Sequence, residues 1–154
     1  MAVLNLNLEA VVVPSDVFGW EVNTDVGYGR ETFTITTTQK IGVGEVLVVN
    51  YAAKTATRVG ALADAAAVAA LGDLAVFVGR NLPNNPATAQ DFDRLTLATT
   101  GKGVAITRGD GRGTLYMKYL KLGDVAFYDL PADVQAALVA KFTTENRFKV
   151  LDQV

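Results

Sequence analysis

The chain has 154 residues, of which 50% are hydrophobic and 19% charged, so its length favours a single domain and its composition excludes global disorder. The formal net charge is −2, and no dense cluster of Lys and Arg is present, which argues against a nucleic-acid partner. The absence of Cys and His excludes disulfides, thiol nucleophiles, zinc sites built on these residues and the commonest general base.

The N-terminal segment, residues 3–13, has strong strand character until Pro14 ends it. Leu4, Leu6 and Leu8 alternate with polar residues, and Val11, Val12 and Val13 follow. Residues 14–30 then mix glycines with Phe18 and Trp20, which indicates a loop that carries large aromatic side chains. Two interpretations stay open for residues 3–13, an extended arm or the first strand of the domain.

The start of the chain has no basic region of the kind that opens a signal peptide, so we expect none. The longest apolar run, residues 65–71, is far shorter than the roughly 20 residues that a membrane helix needs. We therefore expect a soluble protein that is made in the cytoplasm and has no membrane partner.

The next segment predicts two strands around a glycine turn. A Thr-rich strand with alternating apolar residues spans 32–38. Gly42 and Gly44 turn the chain, and residues 45–49 contain a continuous apolar run, which is typical of a strand covered on both faces. We interpret the two strands as the hairpin that enters the compact domain.

The middle of the chain predicts one helix and several short strands. Residues 61–71 are rich in Ala and are followed by Gly72 at the position of a C-terminal cap, which favours a helix. Segment 79–86 is rich in Asn and Pro and is typical of a loop, while the Asp-Gly pair within 108–113 is typical of a tight hairpin connection. Further strands are predicted at residues 75–78, 95–98, 104–107 and 115–122.

A second helix is predicted near the C-terminus. Asp129 is placed to cap its N-terminus and Pro131 fits its first turn, while Asn146 ends it. One apolar stripe recurs every four residues, formed by Val134, Leu138 and Phe142. Residues 147–150 alternate as a final strand, and we expect the helix to lie on the sheet.

These elements predict the α+β fold class. We expect a small β-rich domain of mixed and antiparallel strands in a barrel-like arrangement, with two short helices and an extended N-terminal arm. The arm is assigned to residues 1–30 and the compact domain to residues 31–154.

The polar residues give little support to catalysis. Ser15 is the only serine, and it lies in a turn without the flanking glycines of a nucleophile elbow. Helix caps and turns are the expected places for Asp64, Asp73, Asp91, Asp93, Asp110, Asp124 and Asp129. We therefore expect no enzyme, no cofactor and no metal site. One alternative stays open, a small carboxylate-dependent hydrolase or lyase, because two carboxylates can converge from distant positions.

Two glycine motifs and one tripeptide have simpler interpretations than ligand binding. Neither Gly42–Gly44 nor Gly101–Gly103 has the spacing of a phosphate-binding loop, and we predict that both are hairpin turns. Residues 108–110 read Arg-Gly-Asp, but the demands of a turn explain this tripeptide without a receptor.

Phe18 and Trp20 are the residues best suited to bind a partner, because large aromatic side chains dominate interface hot spots. The alternative, that both side chains fold back onto the core of the domain, also stays open.

Residues 30–154 resemble the head decoration proteins of tailed phages in the order of their elements and in their Gly-, Val-, Ala- and Thr-rich texture. The resemblance depends on the strand, turn and strand of residues 31–50, the run 74–79, the turn around Asp110 and the closing segment 129–150. Another structural component of a phage, such as a tail-tube or head-completion protein, remains an alternative.

The resemblance implies a homotrimer on the outer surface of the capsid, where it cements subunits of the major capsid protein after the shell expands. It also implies a location in the virion, assembly in the host cytoplasm, and no cofactor, nucleic acid or membrane. In this family the N-terminal segment is often an arm that pairs with a capsid strand. The arm residues assigned to capsid binding are Leu4, Leu6, Leu8, Val11, Val13, Phe18 and Trp20.

Overall fold

The computed structural model describes residues 12–21, 29–80, 96–97 and 100–152. Several predictions concern residues outside these ranges and stay predictions there: the strand character of 3–11, residues 81–86 of the predicted loop 79–86, and residues 95 and 98 of the predicted strand 95–98. Residues 79–80, the start of that predicted loop, belong instead to a strand. The same holds for Leu4, Leu6, Leu8, Val11, Asp91 and Asp93.

The helices are α1 (Pro14–Val17), α2 (Ala65–Ala69) and α3 (Ala132–Thr144). The first strands are β1 (Phe18–Trp20), β2 (Arg30–Thr36), β3 (Ile41–Gly42), β4 (Val46–Asn50), β5 (Thr55–Arg58) and β6 (Asp73–Arg80). They are followed by β7 (Thr96–Leu97), β8 (Gly101–Ile106), β9 (Thr114–Tyr116), β10 (Lys121–Leu122), β11 (Val125–Ala126) and β12 (Lys149–Leu151). Two 3-10 turns, Met117–Tyr119 and Phe127–Asp129, complete the described elements.

Five strands close into a small barrel in the order β2-β5-β4-β6-β8. Strands β2 and β5 run parallel, and the other neighbours in the barrel run antiparallel. The α+β class and the barrel-like arrangement of mixed strands are therefore confirmed. Every barrel strand contributes to one buried cluster, formed by Phe33, Ile35, Ile41, Leu47, Val49, Ala56, Ala75, Phe77, Leu97 and Ala105.

Gly103 lies inside this barrel and not in a turn. It belongs to β8 and pairs with Phe33 of β2 and with β6. A Cβ at this position would lie 2.6 Å from Ile35 Cδ1 and 2.7 Å from Phe77 Cε2, so the space of a side chain is already filled. The prediction of a hairpin turn at Gly101–Gly103 is wrong, because both glycines belong to β8 and Gly103 makes room for neighbouring core residues.

The predicted strands on both sides of Gly42 and Gly44 exist, but they do not pair with each other. Strand β5 lies between β2 and β4, and the true hairpin joins β4 to β5 with Asn50 opposite Thr55. The reason is that Gly44 bonds elsewhere: its N–H donates to the Phe77 carbonyl at 3.0 Å, and its carbonyl accepts from the Lys121 N–H at 3.0 Å.

A second layer covers the outside of β4 and β6, and α3 is its main element. The predicted stripe of Val134, Leu138 and Phe142 is fully buried, as the 3.6-residue period requires. This stripe shares one cluster with Val46 of β4 and Val76 of β6, while Leu47, Ala75 and Phe77 belong to the barrel cluster. Strand β4 is therefore covered on both faces, as predicted.

Both predicted helices differ from the structure at their N-termini. Helix α3 begins after Pro131, and Asp129 lies in a 3-10 turn, so the prediction that Asp129 caps the helix is wrong. Leu130 precedes a proline and adopts an extended conformation, which prevents the helix from starting earlier. Helix α2 begins at Ala65 because Asp64 caps it, with its side chain accepting from the Ala67 N–H at 2.9 Å. The helix ends at Ala69 with Ala70 as its C-cap, so the predicted cap at Gly72 is wrong.

The predicted strand 115–122 is broken by the 3-10 turn Met117–Tyr119. Leu115 and Leu120 are both fully buried, yet they are five residues apart and would point to opposite faces of one straight strand. The turn rotates the chain so that both leucines enter the same core cluster.

The segment 108–113 is a turn, but not the predicted hairpin. Asp110 and Gly111 have φ values of 50° and 78°, in the left-handed region that Asp-Gly turns use. The strands on either side do not pair, since β8 belongs to the barrel and β9 to another sheet. The turn packs instead on the end of α3, where the Gly111 N–H donates to the Arg147 carbonyl at 2.7 Å.

Candidate interaction surface

A three-stranded sheet outside the barrel carries Trp20, the most exposed of the described aromatic residues. Its order is β1-β9-β12, with β1 antiparallel and β12 parallel to β9. One row of this sheet contains Phe18, Leu115 and Val150. Phe18 and Leu115 are buried in the core cluster and Val150 packs against it, so this row anchors the sheet to the domain.

A β-bulge at Gly19 turns the next aromatic residue to the other face. Phe18 lies opposite Leu115 and Trp20 lies opposite Thr114, so β1 advances two residues while β9 advances one. Without the bulge, the two-residue period would place Phe18 and Trp20 on the same face. With it, Phe18 is 8% exposed and Trp20 is 50% exposed.

Tyr116 lies directly over the bulge. A Cβ at Gly19 would overlap the Tyr116 ring and hydroxyl, so only glycine leaves room for this ring. Tyr116 is half-buried and lies opposite Leu151 of β12, which is 46% exposed. Trp20, Tyr116 and Leu151 form what we call the aromatic face, the outward side of the β1-β9-β12 sheet.

An ion pair holds this sheet beside the barrel. Arg30, the first residue of β2, donates from Nε to Glu21 Oε1 at 2.6 Å and from Nη2 to Glu21 Oε2 at 2.8 Å. Glu21 follows Trp20 in sequence, and the two parallel bonds fix both distance and orientation. Trp20 is therefore presented from a fixed position.

Two strands of the sheet lie at its edges in the described part of the chain. Among the described strands, β1 and β12 each pair with β9 only, whereas every strand of the barrel has two neighbours. An unpaired strand edge offers backbone N–H and carbonyl groups to another chain. Residues 3–13, the segment of the predicted arm with strand character, directly precede α1 and β1 in the sequence.

The residues assigned to capsid binding have different positions. Phe18 packs in the core of its own domain, which is the second of the two interpretations given for it, and Trp20 is exposed. Val13 is 37% exposed at the N-terminus of α1. The prediction of a loop is wrong for residues 14–20, which form α1 and β1 and pack on the domain. Leu4, Leu6, Leu8 and Val11 lie outside the described residues.

Sequence reasoning missed two members of the aromatic face, Tyr116 and Leu151. Tyr116 lies within a segment that resembled one continuous strand, and Leu151 follows the last residue of the predicted C-terminal strand. The signal available for Tyr116 was its place next to the apolar Leu115, because neighbouring strand residues face opposite sides. The signal for Leu151 was the same alternation, continued by one residue beyond Val150.

A second ion pair, between Glu45 and Arg58, contains a buried carboxylate. This carboxylate is buried and accepts from Arg58 Nε, whose other nitrogens donate to Gln39 Oε1 at 2.6 Å and to Asp124 Oδ1 at 3.1 Å. Burial raises the pKa of Glu45, and the Arg58 guanidinium opposes this rise. The network joins β5 and the start of β4 to the β10-β11 turn, a structural role that explains every member.

The described part of the chain offers no metal site. No group of three or more acidic side chains there is arranged to hold a metal ion. Asp64 caps α2, Asp133 accepts from the Ala65 N–H at 3.2 Å, and Asp124 binds Arg58. These three Asp residues thus stabilise local structure.

The chain matches no protein-family model, no curated protein and no solved structure. Within the described ranges, no helix is long and apolar enough to cross a membrane.

Proposed function

We propose that this protein is a viral capsid decoration protein. In this proposal a trimer binds the outer surface of a phage head and stabilises the expanded shell through contacts with the major capsid protein. The observation that carries the proposal is the aromatic face, Trp20, Tyr116 and Leu151, on a sheet whose edge strand β1 pairs, among the described strands, with β9 only and lies within the predicted arm. No catalytic residue is required.

The chemistry of this surface suits adhesion to a protein. A half-exposed Trp beside a Tyr and a Leu offers a rigid apolar anchor of the kind that dominates interface hot spots. Strand addition at β1 would contribute backbone hydrogen bonds of about 0.5–1.5 kcal/mol each. Three copies bound together increase the affinity further, because the second and third contacts become intramolecular.

Trp20→Ala should weaken binding to expanded heads by at least about tenfold, since truncation of a hot-spot aromatic costs roughly 2 kcal/mol or more. Binding is measured by co-sedimentation of the purified full chain with heads of the phage that encodes it, stripped of their native decoration protein. Val125→Ala is the matched control, because Val125 is 41% exposed on β11, outside the β1-β9-β12 sheet. Equal binding by both variants would show that the aromatic face is not part of the interface. If the wild-type protein does not bind to heads, the proposal is overturned.

The native mass provides an independent check. A trimer has three times the 16.3 kDa of one chain, which native mass spectrometry measures in solution or after release from heads. A ring of six or more copies would instead favour the alternative of a tail-tube or head-completion protein.

A further inference from the structure

A polar pocket lies where the end of α3 meets the barrel, away from the aromatic face. It has a volume of about 370 Å³, and its lining comes from β2, the β4-β5 turn, the 108–113 turn and the segment after α3. The lining residues are Glu31, Tyr51, Thr107, Arg108, Asp110, Glu145, Asn146 and Arg147. This is the volume of a small ligand or of one long side chain.

Two oxygen atoms of this lining lack hydrogen-bond partners. Among the described residues, the buried side-chain polar atoms without a partner are Glu31 Oε2 and Asn146 Oδ1, and both residues line this pocket. Buried polar atoms are normally paired, and leaving one unpaired costs free energy. Two such atoms at one pocket therefore indicate that a partner is missing there.

Asn146 is held rigidly in its position. It is 5% exposed, and its Nδ2 donates to the Leu74 carbonyl at 2.7 Å and to the Thr107 carbonyl at 2.8 Å. These two bonds use both amide hydrogens, so the amide cannot flip without losing them. Its Oδ1 is consequently a fixed acceptor without a donor.

Glu31 supplies the charge. Its Oε1 lies 3.3 Å from Nζ of Lys54, whose side chain is 60% exposed, while its Oε2 has no partner. The terminal torsion of a glutamate is soft, so Oε2 is able to turn toward a donor in the pocket at small cost. A carboxylate oxygen accepts most strongly from a cationic donor.

The two unpaired oxygen atoms, Glu31 Oε2 and Asn146 Oδ1, determine the class of ligand. Both atoms accept hydrogen bonds and neither donates, so they favour a ligand that carries N–H groups. The lining residues include three acidic and two basic ones, which gives them a formal charge of −1. A metal ion is disfavoured, because no group of three acidic side chains in the described residues is arranged to ligate one. Burial raises the pKa of Tyr51, and the Glu31 carboxylate adds to the rise, so this phenol remains neutral and keeps its proton.

We propose that this pocket binds an alkylammonium group, with Glu31 Oε2 and Asn146 Oδ1 accepting its N–H bonds. Two sources share this chemistry, the side chain of a lysine on another protein and a free polyamine. The proposal is independent of capsid binding, since it concerns different residues from those of the aromatic face.

The test is a titration of the full-length, ¹⁵N-labelled protein, followed through the Asn146 side-chain amide and the Thr107 backbone amide. The probes are n-butylammonium, Nα-acetyl-lysine methylamide and putrescine, with n-butanol as the neutral control. We expect the ammonium probes to bind with Kd on the order of 1 to 10 mM and n-butanol to cause no saturable shift. Tighter binding of the lysine derivative identifies a protein side chain as the source, and tighter binding of putrescine identifies a free amine.

Glu31→Gln should weaken binding of n-butylammonium by about tenfold to a hundredfold, because a charge-assisted hydrogen bond is lost. Glu145→Gln is the matched control: Glu145 lines the same pocket, but its carboxylate is paired with Lys141 at 2.9 Å, so the effect should stay within about threefold. Asn146 is left intact, because replacing it would break two buried bonds. Equal effects of the two variants, tighter binding of inorganic phosphate or Ca²⁺ than of the ammonium probes, or the absence of any saturable shift would each overturn the proposal.

Discussion

Arg58→Met should lower the free energy of unfolding by about 3 to 5 kcal/mol, the usual cost of leaving one partner of a buried ion pair alone. Glu45 is 2% exposed, and the Arg58 guanidinium is its cationic partner. Methionine keeps much of the apolar stem of arginine but supplies no charge and no donor. The variant therefore leaves a carboxylate in the interior without compensation, and the melting temperature should fall by roughly 6 to 20 °C.

Glu45→Gln is the matched variant, and it should cost less, about 1 to 2 kcal/mol. Arg58 is nearer the surface, with 17% of its side chain exposed, and it keeps Gln39 and Asp124 as partners. The amide also removes the charge that burial disfavours. Urea denaturation of both variants measures the difference, and a loss for Glu45→Gln as large as that for Arg58→Met would contradict the role assigned to the buried charge.

The pH dependence of Arg58→Met provides a second readout. Burial raises the pKa of Glu45 above its ordinary value, so the folded protein holds this proton more tightly than the unfolded chain. The contribution of such a group to stability is present at low pH and is lost as pH rises through the raised pKa. Removal of Arg58 raises the pKa further, so the deficit of the variant should shrink as the pH is lowered from about 7 to about 5. A deficit that grows over this interval would contradict the assignment.

Gly44→Ala should destabilise the fold by about 2 to 5 kcal/mol, for two reasons that act together. The φ of Gly44 is 92°, a conformation that L side chains rarely adopt. In addition, a Cβ there would overlap the Tyr119 carbonyl oxygen, a backbone atom that cannot rotate away, and would lie 3.0 Å from Val17 Cγ2. The substitution therefore forces the barrel apart from the segment that follows β9.

Gly42→Ala is the control, two residues earlier in the same motif. A Cβ there meets nothing within 4 Å, and Gly42 lies in β3 without a positive φ. We expect a change within about 0.5 kcal/mol, or a slight gain from the reduced entropy of the unfolded chain. Thermal unfolding of both variants decides the matter, and similar melting temperatures would show that Gly44 is not required for the close contact with Tyr119.

Local periodicity predicted the elements whose signal lies within one segment. The stripe of Val134, Leu138 and Phe142 and the continuous run of β4 were identified correctly, because burial selects apolar residues at the period of the element. Strand β5 was missed because this signal is almost absent from it. Its only buried residue is Ala56, and its neighbours are Thr and Arg, so its role in the barrel leaves almost no pattern.

Local periodicity could not predict which strands pair or which residues distant in the sequence come into contact. Nothing near Gly44 indicates that its hydrogen bonds go to Phe77 and Lys121, so the hairpin interpretation followed from proximity in sequence alone. The same applies to Gly103, whose reason for being glycine is the space taken by Ile35 and Phe77. Both depend on residues distant in the chain.

The amino-acid sequence alone determined the α+β class, the β-rich content and the helix that packs on the sheet, because composition and local period dictate them. Only the tertiary structure decided which strands close the barrel and which aromatic residue faces outward. Phe18 and Trp20 are two residues apart and would share a face of a regular strand, yet the bulge at Gly19 buries one and exposes the other. The bulge depends on the register between β1 and β9 and on the Tyr116 ring over Gly19, contacts across about 100 residues of chain that no local pattern encodes.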